Sequence, residues 1–458
     1  MVEVSGMPAG VGLMHGGFHG PNQALEEALE RRIPDFLAAD AGSTDAGPAF
    51  LGGDKGMTHR EGIKQSLEYI LPLALNKKVP FIVGSAALGG NAPGLQSFRE
   101  IVEEISREKG LHFRVAFIDS EQDKGYLQQR LKDGKIKPLA PSPNLTEDDI
   151  NRSTHIVGMM GTEPLVKALE QGAQVIIAGR TSDSALFAAV PIMKGIPLAP
   201  AWHMAKVIDH AATNIEPVPG VETSVIGIAG EDYFRVEPTN PLGICDAMRT
   251  AHATVYENNS PMHLYEPPGM LDISKCYFQQ MTTNIVKVTG MTFDRKPYTI
   301  KLEGAEKVGY RAITLGGTRD PVVIGIVDEF LQVCKDRSIE HAKAQGINPE
   351  NFKLFFRVYG KNEVMRDWEP ESNLSARELG IVADCVADTQ EIANAVMNMC
   401  HAQLLHYNYP GRIHTTGNFA FPYSPSDIEC GPVYQFNVWH LLEPDDPLEC
   451  CSIDIVDL

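Results

Sequence analysis

The sequence predicts an α/β protein, with a mostly parallel, doubly wound sheet in the N-terminal half and a second, α+β domain after it. Three observations carry this expectation. Short apolar runs alternate with helix-length amphipathic segments through the first half of the chain. Around Val218 that alternation gives way to β-branched residues and turn glycines. The 458 residues also exceed what one ordinary core fills, so two domains, 1–217 and 218–458, are expected, the second closing a crevice on the first.

The first strand is expected in IPDFLAAD (33–40), a continuous apolar run of the kind found in strands buried on both faces. HREGIKQSLEYILPLALNKK (59–78) places apolar residues at helical spacing, and PFIVGSA (80–86) is the second strand. Pro93 opens the next helix, because its fixed φ suits a first turn, and Gly110 stops it. HFRVAFID (112–119) is a third strand, YLQQRLKDGK and EPLVKALEQGA (163–173) are helices, and QVIIAGR (174–180) is a fourth strand. In the second half, SVIGIAGEDYFRVEP, IVKVTGMTF and YTIKLEGAEKVGYRAITLGGTRD read as antiparallel or mixed strands. Helices at 326–346 and 387–407 flank a strand at 352–360, and the tail reads as a loop-rich segment. No strand is read ahead of AGVGLMHGG, whose glycine spacing is wrong for a dinucleotide loop.

Composition narrows the function classes. No apolar run reaches the roughly 18 residues of a membrane span. The N-terminal residues lack a basic stretch followed by an apolar one, so a cytoplasmic location is expected. A formal charge of −19 argues against nucleic acid or an anionic membrane as partner, while a locally basic site for a small anion stays compatible with it. The eight cysteines include no C-x-x-C pair, which speaks against a structural zinc or an iron–sulfur cluster and reads as reduced thiols. The phosphate-binding loop, the G-x-S-x-G elbow and H-E-x-x-H are all absent.

In a doubly wound sheet, ligands bind beyond the carboxyl ends of the strands. Four predicted strand ends deliver polar side chains and glycines: Asp40 to Gly47, with Ser43, Thr44 and Asp45; Gly84 and Ser85 onward; Asp119 to Glu121; and Arg180, Thr181, Ser182 and Asp183. Each loop alone has a plain structural reading, since Asp and Ser cap helices and Gly supplies positive φ. Four on one edge make a crevice. His15 and His19 suit a mobile lid or an ordinary flexible segment. Arg319 and Asn418, in the conspicuous loops of the second half, are expected to face the crevice from the other domain.

SGMPAGVG, PDFLAADAGSTDAGPAFLG, VGSAALGGNAPG, MGTEPLVKALEQGAQVIIAGRTSDSAL and LGGTRDP together resemble the acyclic terpene utilisation (AtuA-type) family, from about residue 4 to beyond 425. The resemblance implies a cytosolic protein in catabolism of branched acids or terpenoids, often as acyl-CoA esters. After the first strand this chain departs from the family's terpene-catabolic members, reading ADAGSTDAGP, which marks a separate branch.

The expected function is a lyase or hydratase acting by acid–base chemistry on a small branched carboxylate or its CoA ester. Such chemistry needs two proton-transferring groups and an anion clamp. Asp40, Asp45 and Asp183, with Glu163 in reserve, supply the first. Ser43, Thr44, Gly84, Ser85, Arg180, Thr181, Arg319 and Asn418 supply the second. An aspartate pair equally suits a divalent cation, Mg²⁺ foremost, and the residues leave this open. A non-catalytic binding or assembly subunit, and a hydrolase or isomerase, are the alternative readings. A homo-oligomer is the general expectation for soluble proteins.

Overall fold

A computed structural model describes residues 2–9, 13, 22–54, 59–210, 215–216, 223–370, 376–415 and 417–458. The chain divides into two compact units, one of Met1–Glu306 with Phe436–Leu458 and one of Lys307–Gln435. This division falls elsewhere than the expected 217/218, because four of the strands that follow residue 218, within 225–289, add to the sheet of the first unit.

The first unit carries β1 (Val4–Pro8), β2 (Phe36–Asp40), β3 (Phe81–Gly84), β4 (Arg114–Asp119), β5 (Ile136–Pro138), β6 (Ser153–Met159) and β7 (Val175–Ala178). After these come β8 (Ile215–Glu216), β9 (Val225–Ala229), β10 (Tyr233–Pro238), β11 (Ile244–Cys245), β12 (His263–Glu266), β13 (Gly269–Asp272), β14 (Tyr277–Gln280), β15 (Val286–Thr289) and β16 (Thr292–Arg295). Chain order then continues with β17 (Ile300–Thr318), β18 (Phe352–Tyr359), β19 (Leu379–Ala387), β20 (Asp427–Leu442) and β21 (Ser452–Asp457).

The parallel centre of the main sheet runs β1-β2-β3-β7-β4. Antiparallel strands extend it, with β9, β10, β15 and β14 beyond β1, and β21 beyond β4. Side chains alternate along each central strand, so each strand feeds two cores. Ala38, Ile82, Ala116 and Ile176 face the helices Glu163–Glu170, Asp183–Met193 and Leu198–Asp209. Leu37, Phe81, Val115 and Val175 face the helices Gln23–Arg31, Arg60–Lys77 and Ala92–Lys109. Helices on both faces make the sheet doubly wound, as expected.

Two readings are corrected. A strand, β1, does precede AGVGLMHGG; its Gly6 and terminal Pro8 hide it from propensity, yet Gly6 is required there. A Cβ at Gly6 would lie 2.0 Å from the Phe36 ring that crosses it. The tail is also not all loop, since it holds β20 and β21. Much of β20 is exposed, so its apolar alternation is faint.

In the second unit, Tyr310–Thr318 of β17 pairs antiparallel with β19, which pairs with β18 on its other side. The helices Val327–Ala344 and Gln390–His406 bury Phe330, Cys334, Val396 and Cys400 with Leu354, Ile381 and Cys385 of the sheet. All eight cysteines are free thiols. Among the described residues, no helix is long and apolar enough to cross a membrane.

Candidate functional site

The registers Asp40↔Gly84 and Ile118↔Ala178 bring the carboxyl ends of β2, β3, β4 and β7 to one edge, and the four polar loops leave from it. Several of their side chains knit the loops together. Ser85, at φ +51°, accepts hydrogen bonds at its Oγ from Arg180 Nη1 (3.1 Å) and from the Thr181 backbone N–H (3.3 Å). Thr181 donates its hydroxyl to the Gly179 carbonyl at 2.8 Å. Ser120 Oγ accepts from the Arg180 N–H at 2.6 Å and donates to the Gly90 carbonyl. Close packing demands the glycines: a Cβ at Gly84 would meet Leu186 at 2.6 Å, and one at Gly90 the Arg180 backbone at 2.3 Å.

Arg180 lies 4% exposed and donates from Nε to Glu303 at 2.7 Å, with Asp183 3.7 Å from Nη1. Glu303 is fully buried and also pairs with Lys301 at 2.7 Å. Burial works to raise the Glu303 carboxyl, but the Arg180 and Lys301 charges outweigh it and hold the group below its ordinary range. The guanidinium expected to clamp an anion is therefore held in a buried ion pair.

Two cavities open beside these loops. The smaller, about 480 Å³, is lined by Asp40, Ser43, Asp45, Asp183, Asp209 and Glu257 among others. The larger, about 760 Å³, is lined by Ser182, Asp183, Lys206, Glu257 and Glu266 on its polar side. Asp183 and Glu257 border both, so the two adjoin. Their volumes are those of ordinary small-molecule sites.

The electrostatics favour protonated carboxyls. Burial, and then the charges of Asp183 and Asp209, hold Asp40 well above its usual pKa. Burial and Asp183 do the same to Asp209. Asp209 also ends the helix Leu198–Asp209, where the negative end of the helix dipole disfavours a carboxylate. Burial pushes Glu266 up to about 7, against the Ser182 hydroxyl, which donates to Oε2 at 2.7 Å, and against the Lys206 charge. His210 bridges two of these acids, with Nδ1 3.2 Å from Asp209 and Nε2 2.9 Å from Glu257. Asp183 Oδ1 is buried and has no hydrogen-bond partner among the described residues.

Of the residues expected from sequence, Asp40, Ser43, Asp45 and Asp183 line the smaller cavity, with the Ser43 hydroxyl on the Asp45 carboxylate. Thr44, Gly84, Ser85, Arg180, Thr181 and Glu163 are not among the described residues that line either cavity. Glu163 accepts from the Tyr298 hydroxyl at 2.8 Å, and burial raises its pKa. Arg319 and Asn418 belong to the second unit, where Arg319 is exposed and Asn418 donates to the Tyr407 carbonyl at 2.8 Å. His15 and His19 lie outside the described residues.

Lys206, Asp209, Glu257 and Glu266 escaped the sequence reading. One signal was available: apart from His203, Lys206 and Asp209 are the acidic and basic residues of the largely apolar helix LAPAWHMAKVID, and they stand three apart on one face. Nothing local marks Glu266. Among the described residues, no group of three or more His, Cys, Asp or Glu side chains is placed to hold a metal ion.

No curated protein and no solved structure matches the chain. A family model described as acyclic terpene utilisation family protein AtuA matches residues 11–194 and 236–421. The matched segments contain Asp40, Asp183, Glu257 and Glu266, while Lys206 and Asp209 fall between them. With most of its length matched, the chain belongs to the acyclic terpene utilisation (AtuA) family.

Proposed function

We propose that the crevice is the active site of a hydro-lyase or hydratase, acting on a small branched carboxylate or its CoA ester. Membership of the family points to a role in acyclic terpene catabolism. The observation that carries the finer reading is the set of acids, gathered on one crevice, whose proton affinities burial raises. Glu266 sits near neutrality, where a proton-transferring group works in both directions, and burial with neighbouring carboxylate charge shifts Asp40 and Asp209 well above the ordinary carboxyl range. In hydration of an α,β-unsaturated acyl group, one carboxyl protonates the α-carbon while another takes the proton of the water that adds at the β-carbon. Dehydration runs the same transfers backward.

The test is turnover of branched 2-enoyl-CoA esters and of the corresponding free acids, followed by loss of the conjugated absorbance. Glu266→Gln and Asp40→Asn are each expected to lower kcat by about 10²–10⁴-fold. Variants that fold and turn over at the parent rate would remove these residues from the chemistry. A folded parent inert toward every member of the series would favour the non-catalytic subunit instead.

A further inference from the structure

A crevice lined by acids admits an anion only through a cation, and Arg180 already faces Glu303. Three lysines line the larger cavity. Lys296 is paired with Asp294. Lys301 is paired with Glu303 at 2.7 Å and stands 4.3 Å over the Trp439 ring. Lys206 has neither a hydrogen-bond nor an ion-pair partner among the described residues. It is half-buried, on a helix fixed by the fully or nearly fully buried Trp202, Met204, Ala205 and Val207. A partly desolvated ammonium without a direct ion-pair partner leaves a ligand to supply one.

The surroundings of Lys206 sharpen the point. The titratable groups that share its cavity are Asp183, Glu257, Glu266, His263, Tyr265, Lys296 and Lys301, with Asp209 one turn on along its own helix. Burial favours the neutral form of Glu266 and of Asp209 and outweighs the Lys206 charge, which acts on both. The corner is then less negative than the count of carboxyls suggests. Away from it the lining turns apolar, with Leu139, Leu264, Pro267, Trp439 and Leu441.

We infer that Lys206 receives the anionic head group of the ligand and that the Leu139–Leu264–Leu441–Trp439 wall takes its hydrocarbon part, so the site selects apolar-tailed acids over their neutral counterparts. This rests on reading the crevice as the active site, and it names the residue that performs the task first expected of Arg180.

Titration calorimetry with octanoate and with octanol separates head group from tail. The parent is expected to bind octanoate about tenfold or more tighter than octanol, as a desolvated charge pair allows. Lys206→Met removes that preference and leaves octanol binding in place, whereas Lys206→Arg keeps it. The preference is a ratio within one variant, so a loss of folded protein lowers both signals and leaves the ratio standing. Should Lys206→Met fail to fold, Lys206→Gln takes its place with the same expectation. Raising the pH through neutrality weakens octanoate binding in the parent, because ionised Glu266 becomes the counter-ion of Lys206, and Glu266→Gln flattens that dependence. Equal binding of acid and alcohol, no octanoate binding, or an undiminished preference without Lys206 would each overturn the inference. A protein that shows the preference and turns nothing over would refute the hydratase reading and keep the site. Turnover indifferent to Lys206 would do the reverse.

Discussion

Replacing Glu266 by glutamine keeps the shape of the side chain and an acceptor for the Ser182 hydroxyl, and it removes the buried charge. The carboxyl has its pKa pushed from the ordinary 4.5 up to about 7. Below pH 4.5 the group is protonated in both folded and unfolded chains and contributes no difference. Between the two values the folded chain keeps a proton that the unfolded chain has lost, so stability falls as pH rises through this window, and above it the full cost remains. Every tenfold change in proton affinity is worth about 1.4 kcal/mol, which makes Glu266→Gln more stable than the parent by about 3 kcal/mol at about pH 8 and by less than about 1 kcal/mol at about pH 5. The first figure is an upper bound, because Glu266 borders a cavity. Urea unfolding followed by tryptophan fluorescence reads this out. Of the three tryptophans, Trp202 and Trp439 lie in the first unit and Trp368 in the second, so a Trp368→Phe background confines the signal to the unit that holds Glu266. A stabilisation of the same size at both pH values, or a variant weaker than the parent at the higher one, would refute the argument that Glu266 is buried against its charge.

Removing the carboxylate by Glu303→Gln is expected to cost about 3–5 kcal/mol in urea unfolding, because it leaves the buried Arg180 with only Asp183 at 3.7 Å. Arg180→Met costs less, since Glu303 keeps Lys301 at 2.7 Å, and Arg180→Met combined with Glu303→Leu recovers most of the loss. If each single change costs under about 1 kcal/mol, the pair is solvated and Arg180 returns as a candidate clamp. Gly6→Ala drives a methyl into the Phe36 ring and should destabilise by about 1–3 kcal/mol, with Phe36→Leu relieving part of it; an additive double variant would show that the ring is not the obstacle.

How much of this was legible follows from what each segment has to bury. β2, β3, β4 and β7 are buried on both faces, so their apolar runs announce them. β1 is short and carries Gly6 and Pro8, both of low strand propensity, and the reason for Gly6 lies in Phe36 of the neighbouring strand. The helices Asp183–Met193 and Leu198–Asp209 are apolar nearly all round, and so lack the contrast between faces that betrays an amphipathic helix. The strand-end rule located Asp40, Ser43, Asp45 and Asp183, because sheet topology alone fixes where strands finish. It could not separate Arg180 from its counter-ion Glu303, which lies 123 residues away in sequence. Lys206 and Glu266 reach the crevice from a helix and from the end of β12, and no local pattern joins them.

β4 meets β21 across one of the longest separations in the chain. Arg114 grips Asp457 with both Nε (2.7 Å) and Nη2 (3.0 Å), 343 residues apart. Closing so long a loop is slow relative to forming the parallel centre, whose strands lie nearer one another in sequence. While it stays open, β4 presents a bare edge with the buried run Val115–Ile118, the kind of edge that recruits other chains. β21 is thus the cover of a self-association hazard as well as a member of the sheet. Weakening the Arg114–Asp457 latch should therefore show first as aggregation during refolding, before any change in the folded protein's binding properties.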